Sequence, residues 1–320
     1  MHGWTVCSAT AADGGRPDPR QTARIDNPET GSFNPARMLA NTRTYWMQPI
    51  PFLGGHPNML RSLYTSASGL AAQQFNLDVI SNNLANVSTN GFKKSRANFE
   101  DHIYQTQREA GAQTGANSQL PTGSQVGLGV SVGTTSTLHT QGAPIVTGNP
   151  SDLAIRGDGF FKIQLPDGSF AYSRAGNFQV DGTGKLVTTQ GYAVQPDIAI
   201  PTNRESVSIG PDGTVSVRLP GQTAEQKVGQ ITITNFVNPA GLKAAGGNLF
   251  QVTSASGQPQ EGGPGTQGLG TIGAGMLEGS NVDTVEEIVK MIIVQRAYDS
   301  NSKVIQASDE MLSTTNNIKR

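Results

Sequence analysis

Apolar residues recur along this chain in two rhythms. Leucines stand at Leu63, Leu70, Leu77 and Leu84, each seven residues from the last, with Ala67, Gln74 and Ser81 at the companion positions. A seven-residue repeat marks a helix that offers one stripe to a partner helix. The spacing predicts a helix over 61–86, although its second seam position is small or polar and buries little area. A second helical pattern covers 282–318. There Val285, Ile288, Val289, Ile292 and Ile293 make a dense apolar face, continued by Ala297, Val304, Met311 and Leu312, with no Gly or Pro in the stretch. Asn281 or Asp283 is placed to cap it, and Glu286 and Glu287 fall in the first turn, where the helix dipole favours acidic groups.

Between the helices the period is two. The runs FFKIQL (160–165), KLVTT (185–189), TVSVR (214–218) and QITITNF (230–236) alternate or are β-branched. Turn signals separate them, at Pro166-Asp167-Gly168, Asp181-Gly182 and Pro211-Asp212-Gly213. Residues 104–123 are polar and follow neither period. Residues 254–275 are rich in Gly, Ser and Gln and read as a linker into the last helix. The expected class is α+β: terminal helices pairing in a coiled-coil-like unit, a mainly β centre, and an extended β-hairpin-like insertion. The expected division is 1–58 as an extension, 59–92 plus 278–320 as the helical unit, 93–145 as a connecting segment, and 146–277 as β domain and linker.

Composition narrows the function classes. The 320 residues include 39 Gly and 18 Pro, and only 15% are charged, below the roughly 25% of ordinary globular domains. A net charge of -1 offers no basic field for nucleic acid. No apolar run approaches the roughly 18 residues of a membrane-spanning helix. Cys7, Trp4 and Trp46 all precede Met59, and neither residue type recurs after it. Residues 1–58 lack periodicity and have no signal-peptide core. They read as a disordered tail or as the product of a start codon assigned upstream of Met59; the second reading is preferred, since MLRSLYTSASGLAAQQ has the look of a native start.

Candidate chemistry is sparse. His102 and His139 are the only histidines after Met59, and no Cys pair or metal-spaced carboxylate cluster exists. Gly268, Gly270 and Gly273 match a dinucleotide-binding spacing but lack the strand and helix that motif needs. Asp152, Asp158, Asp167 and Asp181 sit beside glycine or in turns, where Asp serves the backbone. The expectation is a protein without catalytic residues, metal or cofactor.

The stretch SNNLANVSTNGFKK (81–94) is the unusual feature. Asn82, Asn83, Asn86 and Asn90 crowd the end of a strong helix, although Asn favours caps and turns. Such amides can satisfy backbone groups in a crowded, partly dry interface, or can form a redundant solvated cap. Asn90-Gly91 supplies positive-φ backbone for a reversal into Phe92. The apolar faces need cover. Other copies of the chain would supply it, and so would an intramolecular helical hairpin packed on the β domain.

These residues carry a resemblance. LDVISNNLANVSTNGFKK (77–94) resembles the N-terminal signature of bacterial flagellar rod and hook proteins. GDGFFKIQLPDGSFAYSRAGNFQVDGTGKLVTTQGYAVQP (157–196) is similar to that family's shared β domain, and SNVDTVEEIVKMIIVQRAYDSNSKVI (280–305) to its C-terminal helix. Residues 104–123 are similar to a stretch of the distal-rod branch that typical hook proteins lack. The resemblance implies a structural subunit exported without a cleaved signal through the flagellar type III apparatus. It implies a helical homo-oligomer, a tube acting as drive shaft, touching other rod and hook proteins and the rings at peptidoglycan and outer membrane. The assembly residues are then Leu63, Leu70, Leu77, Leu84, Val285, Ile288, Val289, Ile292 and Ile293. The signature residues are Asn82, Asn83, Asn86, Asn90, Gly91 and Phe92.

Overall fold

The structure, a computed structural model, describes residues 57–115, 118–222 and 224–318. The two readings of the N-terminal extension concern 1–58; positions 1–56 lie outside the described residues, and 57–58 are the first of α1. The chain is α+β. Helix α1 spans Pro57–Ala85 and helix α2 spans Thr284–Ile318, and everything described between them is strand, turn or loop apart from a 3-10 turn at Pro239–Gly241.

Between α1 and the β domain, nested antiparallel pairs carry the chain out and back. Ser95–Asp101 pairs with Val130–Thr137, Tyr104–Arg108 with Ser124–Gly127, and Gln113–Gly115 with Ser118–Gln119. Residues 104–108 are therefore strand, although their sequence shows no alternation. The reason is solvent: every residue of Tyr104–Arg108 is exposed, so no face needed an apolar set, and backbone pairing alone holds the ladder. The base of this segment lies along α1, where the Val130 amide donates to Ser68 Oγ at 3.3 Å. A Cβ on Gly129 would come within 2.2 Å of that same oxygen, so a side chain there would displace the hydroxyl and break this bond.

The β domain owes its stability to one main core. Phe161, Leu153, Ile155, Val215, Val217, Ile231 and Ile233 are all at most 1% exposed, and Ile163 packs beside that core with Ala171 and Leu249. Phe160–Gln164 is the central strand, paired on its edges with Phe170–Ser173, Ala193–Gln195 and Ile233–Asn235. A three-stranded sheet, Ser206–Ile209, Thr214–Arg218 and Gln226–Gln230, covers it. The runs read as strands at 160–165, 214–218 and 230–236 contain these elements.

The segment 254–275, expected as a linker, is part of the β domain instead. Gln260–Gly262 pairs with Ile233–Asn235, and Thr271–Ala274 pairs with Leu153–Arg156. Its glycines hid this because they serve proximity rather than flexibility: a Cβ on Gly270 would lie 2.4 Å from the Arg156 carbonyl oxygen. Leu269 and Ile272 are its members of the main core, with Ala274 packed against that core.

Candidate functional site: the helix seam and its junction

The helices run antiparallel, and their seam is polar. Ser62 Oγ lies 3.5 Å from Ser308 Oγ. Asn301 Nδ2 stands 2.8 Å from where a Cβ on Gly69 would be. Asn83 Nδ2 donates to Glu287 Oε2 at 3.3 Å. A step of seven along α1 is answered by a step of seven back along α2, so the register places Asn76 opposite Val294. The facing positions thus repeat in heptads, but the repeat is one residue away from the leucines. Leu63, Leu70, Leu77 and Leu84 are half-buried, and Ala67, Gln74 and Ser81, read as the companion seam, are exposed. The buried α1 positions are Ser66, Ala72, Ile80 and Asn83. Pattern-reading chose the bulky repeat, whereas close helix approach uses the small one.

The apolar face of α2 points away from this seam. Val285 is 72% exposed, Ile288 43%, Val289 50%, Ile292 45% and Ile293 61%. Tyr298, Val304, Met311 and Ile318 extend the exposed apolar surface toward the C-terminus, while Leu60 and Tyr64 are exposed on α1. A groove of about 420 Å³ opens between α1, α2 and the strand after α1, walled by Val79, Ile80, Phe99, Ile293 and Val294 among others.

The signature amides divide by task. Asn83 is buried and bonds the backbone of Ser95 twice, Nδ2 to the carbonyl at 2.8 Å and Oδ1 from the amide at 2.9 Å. It thereby ties the end of α1 to the first strand and to α2. Asn86 makes a local bond, Nδ2 to the Asn82 carbonyl at 2.9 Å. Asn90 offers its carbonyl to Asn248 Nδ2 at 3.2 Å. Gly91 adopts φ 69 and donates its amide to the Glu278 carbonyl at 2.7 Å. A Cβ there would lie 2.5 Å from the Ala175 nitrogen. Phe92 gives its carbonyl to the Asn281 amide at 3.4 Å. Asp283, of the two candidate caps, caps α2, accepting from Val285 N at 2.9 Å and Glu286 N at 3.1 Å. Asn281 instead bridges Lys94 N at 2.7 Å and the Leu138 carbonyl at 2.8 Å.

Beneath these turns lies a buried charge cluster that composition gave no sign of. Lys93 Nζ donates to Glu278 Oε1 and, at 2.7 Å, to the Thr140 carbonyl. Arg174 Nη1 stands 3.7 Å from Glu278 Oε2, and Gly142 N donates to Oε1 at 3.0 Å. Burial pulls the Lys93 ammonium below the ordinary lysine range, with the Glu278 carboxylate working the other way. His139 packs edge-on against Phe160 and Phe250, each ring centre 5.5 Å away. Burial first, then the Lys93 and Arg174 cations, hold His139 at about 4. The cluster clamps the three places where the chain passes between helices and β domain. Among the described residues no group of three or more His, Cys, Asp or Glu is arranged to hold a metal ion. No described helix is long and apolar enough to cross a membrane.

Comparison with known proteins decides the family. Residues 63–93 match the model of flagella basal body rod proteins, 154–217 that of the flagellar hook protein FlgE/F/G D1 domain, and 274–318 that of the flagellar basal body rod FlgEFG protein C-terminal region. The flagellar basal-body rod protein FlgG of Borreliella burgdorferi is 50% identical over 264 residues, 82% of this chain and 100% of that one. The chain belongs to the FlgG family of flagellar basal-body rod proteins. Its FlgG relative in Bacillus subtilis is 47% identical over 267 residues, covering 82% of this chain and 100% of that protein. A hook protein, FlgE of Helicobacter mustelae, is 46% identical over 138 residues, 43% of this chain and 30% of the hook protein. The matched residues 63–93 and 274–318 hold most of the two helices and their junction, and 154–217 hold part of the β core.

Proposed function

We propose that this chain is a structural, non-catalytic subunit of the distal rod of the bacterial flagellar basal body. Copies assemble by their terminal helices into a rigid helical tube, with the helices inside and the β domain outside. The tube carries torque from motor to hook through the periplasm and the rings at peptidoglycan and outer membrane. It is exported through the flagellar type III apparatus without a cleaved signal and joins other rod and hook proteins at its ends. The helical unit is drawn from 59–92 and 278–320, and the stretch 104–123 wedges between neighbouring subunits to keep the shaft straight.

One observation carries this reading: the α1 positions that face α2 in the seven-residue register are serine, glycine and asparagine, and of the apolar residues of α2 only Val294 is buried, so the rest of that face stays uncovered. An intramolecular hairpin built for itself would bury Ile288 and Ile292 in its seam. Each such side chain gains roughly 1.5–3 kcal/mol only when something covers it. Copies of the same chain supply a cover that repeats along a shaft.

The test is the double substitution Ile288→Asp with Ile292→Asp. Both side chains are exposed in the single chain, so the monomer is expected to keep its circular dichroism and its urea midpoint. Rod assembly, seen by electron microscopy of basal bodies, is expected to fail, and motility with it. Basal bodies of normal rod length carrying this variant would defeat the proposal.

A further inference from the structure

We propose that Asn90-Gly91 is a site of spontaneous chemical modification that the junction closes. It is the one Asn-Gly pair in the sequence. In an open chain the Gly91 backbone nitrogen, once it gives up its proton to hydroxide, can attack the Asn90 side-chain carbon Cγ. The new N–C bond closes a five-membered imide, and the C–NH2 bond breaks, its electron pair leaving with the nitrogen as ammonia. Water then opens the imide at either carbonyl, giving aspartate or isoaspartate. One ammonia is lost, one water is consumed, and no oxidant or other co-reactant is needed. Glycine permits the attack because no Cβ shields its nitrogen and its backbone turns freely. Asn82, Asn83 and Asn86 are followed by Asn, Leu and Val, whose side chains stand in the way.

The fold withdraws the attacking nitrogen and fixes the peptide that carries it. The Gly91 N–H is committed to the Glu278 carbonyl at 2.7 Å, which opposes its deprotonation. The Asn90 carbonyl is held by Asn248, which fixes the peptide plane that must rotate for ring closure. The product is also excluded. Isoaspartate lengthens the backbone of residue 90 by one methylene and so shifts Gly91, which is seated so closely that the Arg174 and Ala175 backbone stands 2.5–2.8 Å from its Cβ position. Time spent unfolded thus marks a chain at the residue that its junction needs unmarked, and a marked chain fails to close the junction.

The experiment incubates the full chain in mildly alkaline buffer, once folded and once in urea, and follows the peptide containing 81–94 by mass spectrometry that separates Asn, Asp and isoaspartate. Asn90 is expected to convert in urea and to convert at least ~10-fold more slowly when folded, equivalent to an opening cost of about 1.4 kcal/mol. Asn90→Gln, whose longer side chain disfavours the ring, is expected to remain unconverted in urea. Chains aged in urea and refolded are expected to show isoaspartate enriched in the protease-sensitive fraction. Equal rates folded and unfolded, or no conversion in urea, would overturn the site. Isoaspartyl chains refolding to full protease resistance would overturn its consequence.

Discussion

Replacing Asn83 with alanine isolates the question raised by the crowded amides. Asn83 is 2% exposed and makes the contacts described above with the Ser95 backbone and with Glu287. Truncation leaves the Ser95 amide, the Ser95 carbonyl and the buried Glu287 carboxylate each short of a partner. A buried group left unsatisfied costs about 1–3 kcal/mol. Ser95 is only half-buried, so water recovers part of its loss. Glu287 is 1% exposed and keeps Lys290 at 3.0 Å. These considerations put the cost at about 3 kcal/mol. Asn86→Ala removes two local bonds, to the Asn82 carbonyl and from Thr89 Oγ1, and should stay within about 1 kcal/mol of the parent.

The assay is urea unfolding of the full chain by far-ultraviolet circular dichroism, with both single variants and the Asn83→Ala, Glu287→Gln pair. The two sites touch, so their effects should fail to add by at least ~0.5 kcal/mol. Amide exchange at Ser95 should accelerate in Asn83→Ala and stay slow in Asn86→Ala. If the two alanine variants unfold at the same urea concentration, Asn83 is a redundant cap and the junction reading is wrong.

Gly91→Ala should destabilise by about 2 kcal/mol or more, since φ 69 strains any other residue and a Cβ meets backbone; proteolysis of the 86–96 segment measures it, and a parent-like digestion pattern would count against the close fit. Leu77→Pro should cost α1 about 3 kcal/mol or more while leaving the β core intact, read as lost helical signal with unchanged protection of Phe161 and Ile233; normal motility in that variant would sink the paired-helix model. His139 titrates at about 4 in the fold against 6.5 in the open chain. As pH falls below 6.5 the unfolded chain takes the proton first, so stability declines between pH 6.5 and about 4 and levels off below. The full gap caps the effect near 3 kcal/mol. His139→Phe, packed against Phe160 and Phe250, should flatten that part of the pH profile; an unchanged slope would assign it to the carboxylates.

What the sequence reveals and conceals follows from which interactions leave a periodic trace. The helices were legible because α1 and α2 each keep long apolar repeats. The strands at 160–164 and 214–218 were legible because they alternate over a core that buries them. The linker reading of 254–275 failed because glycines chosen for contact look the same as glycines chosen for freedom. The strand at 104–108 was invisible because both its faces meet solvent in a single chain. The Lys93, Glu278 and Arg174 cluster joins residues far apart in sequence, and each alone reads as an ordinary surface charge. The seam was misread for a more instructive reason. Ser62, Gly69, Asn76 and Asn83 keep the same seven-residue period as the leucines, but a repeat of small and polar residues carries no hydrophobic signal.

That misreading bears on how such a subunit can both fold and polymerise. A seam of leucines would bind the two helices strongly in any of several offsets, and it would spend the apolar surface inside one subunit. Small and polar residues act differently. Gly69 leaves room for the Asn301 amide across the seam, and the contact of Asn83 Nδ2 with the buried Glu287 carboxylate at 3.3 Å forms in one register and is lost in the others. The seam therefore specifies alignment more than it contributes energy. The charge cluster below it then fixes that aligned pair to the β domain, so that in the proposed shaft load on the β domain would reach the helices through Glu278 and its partners. In the proposed assembly the apolar face of α2 is left for interactions between copies, where its energy would rise with each neighbour added. A subunit divided in this way is specific on the inside and adhesive on the outside, the division that growth of an ordered shaft from identical parts requires.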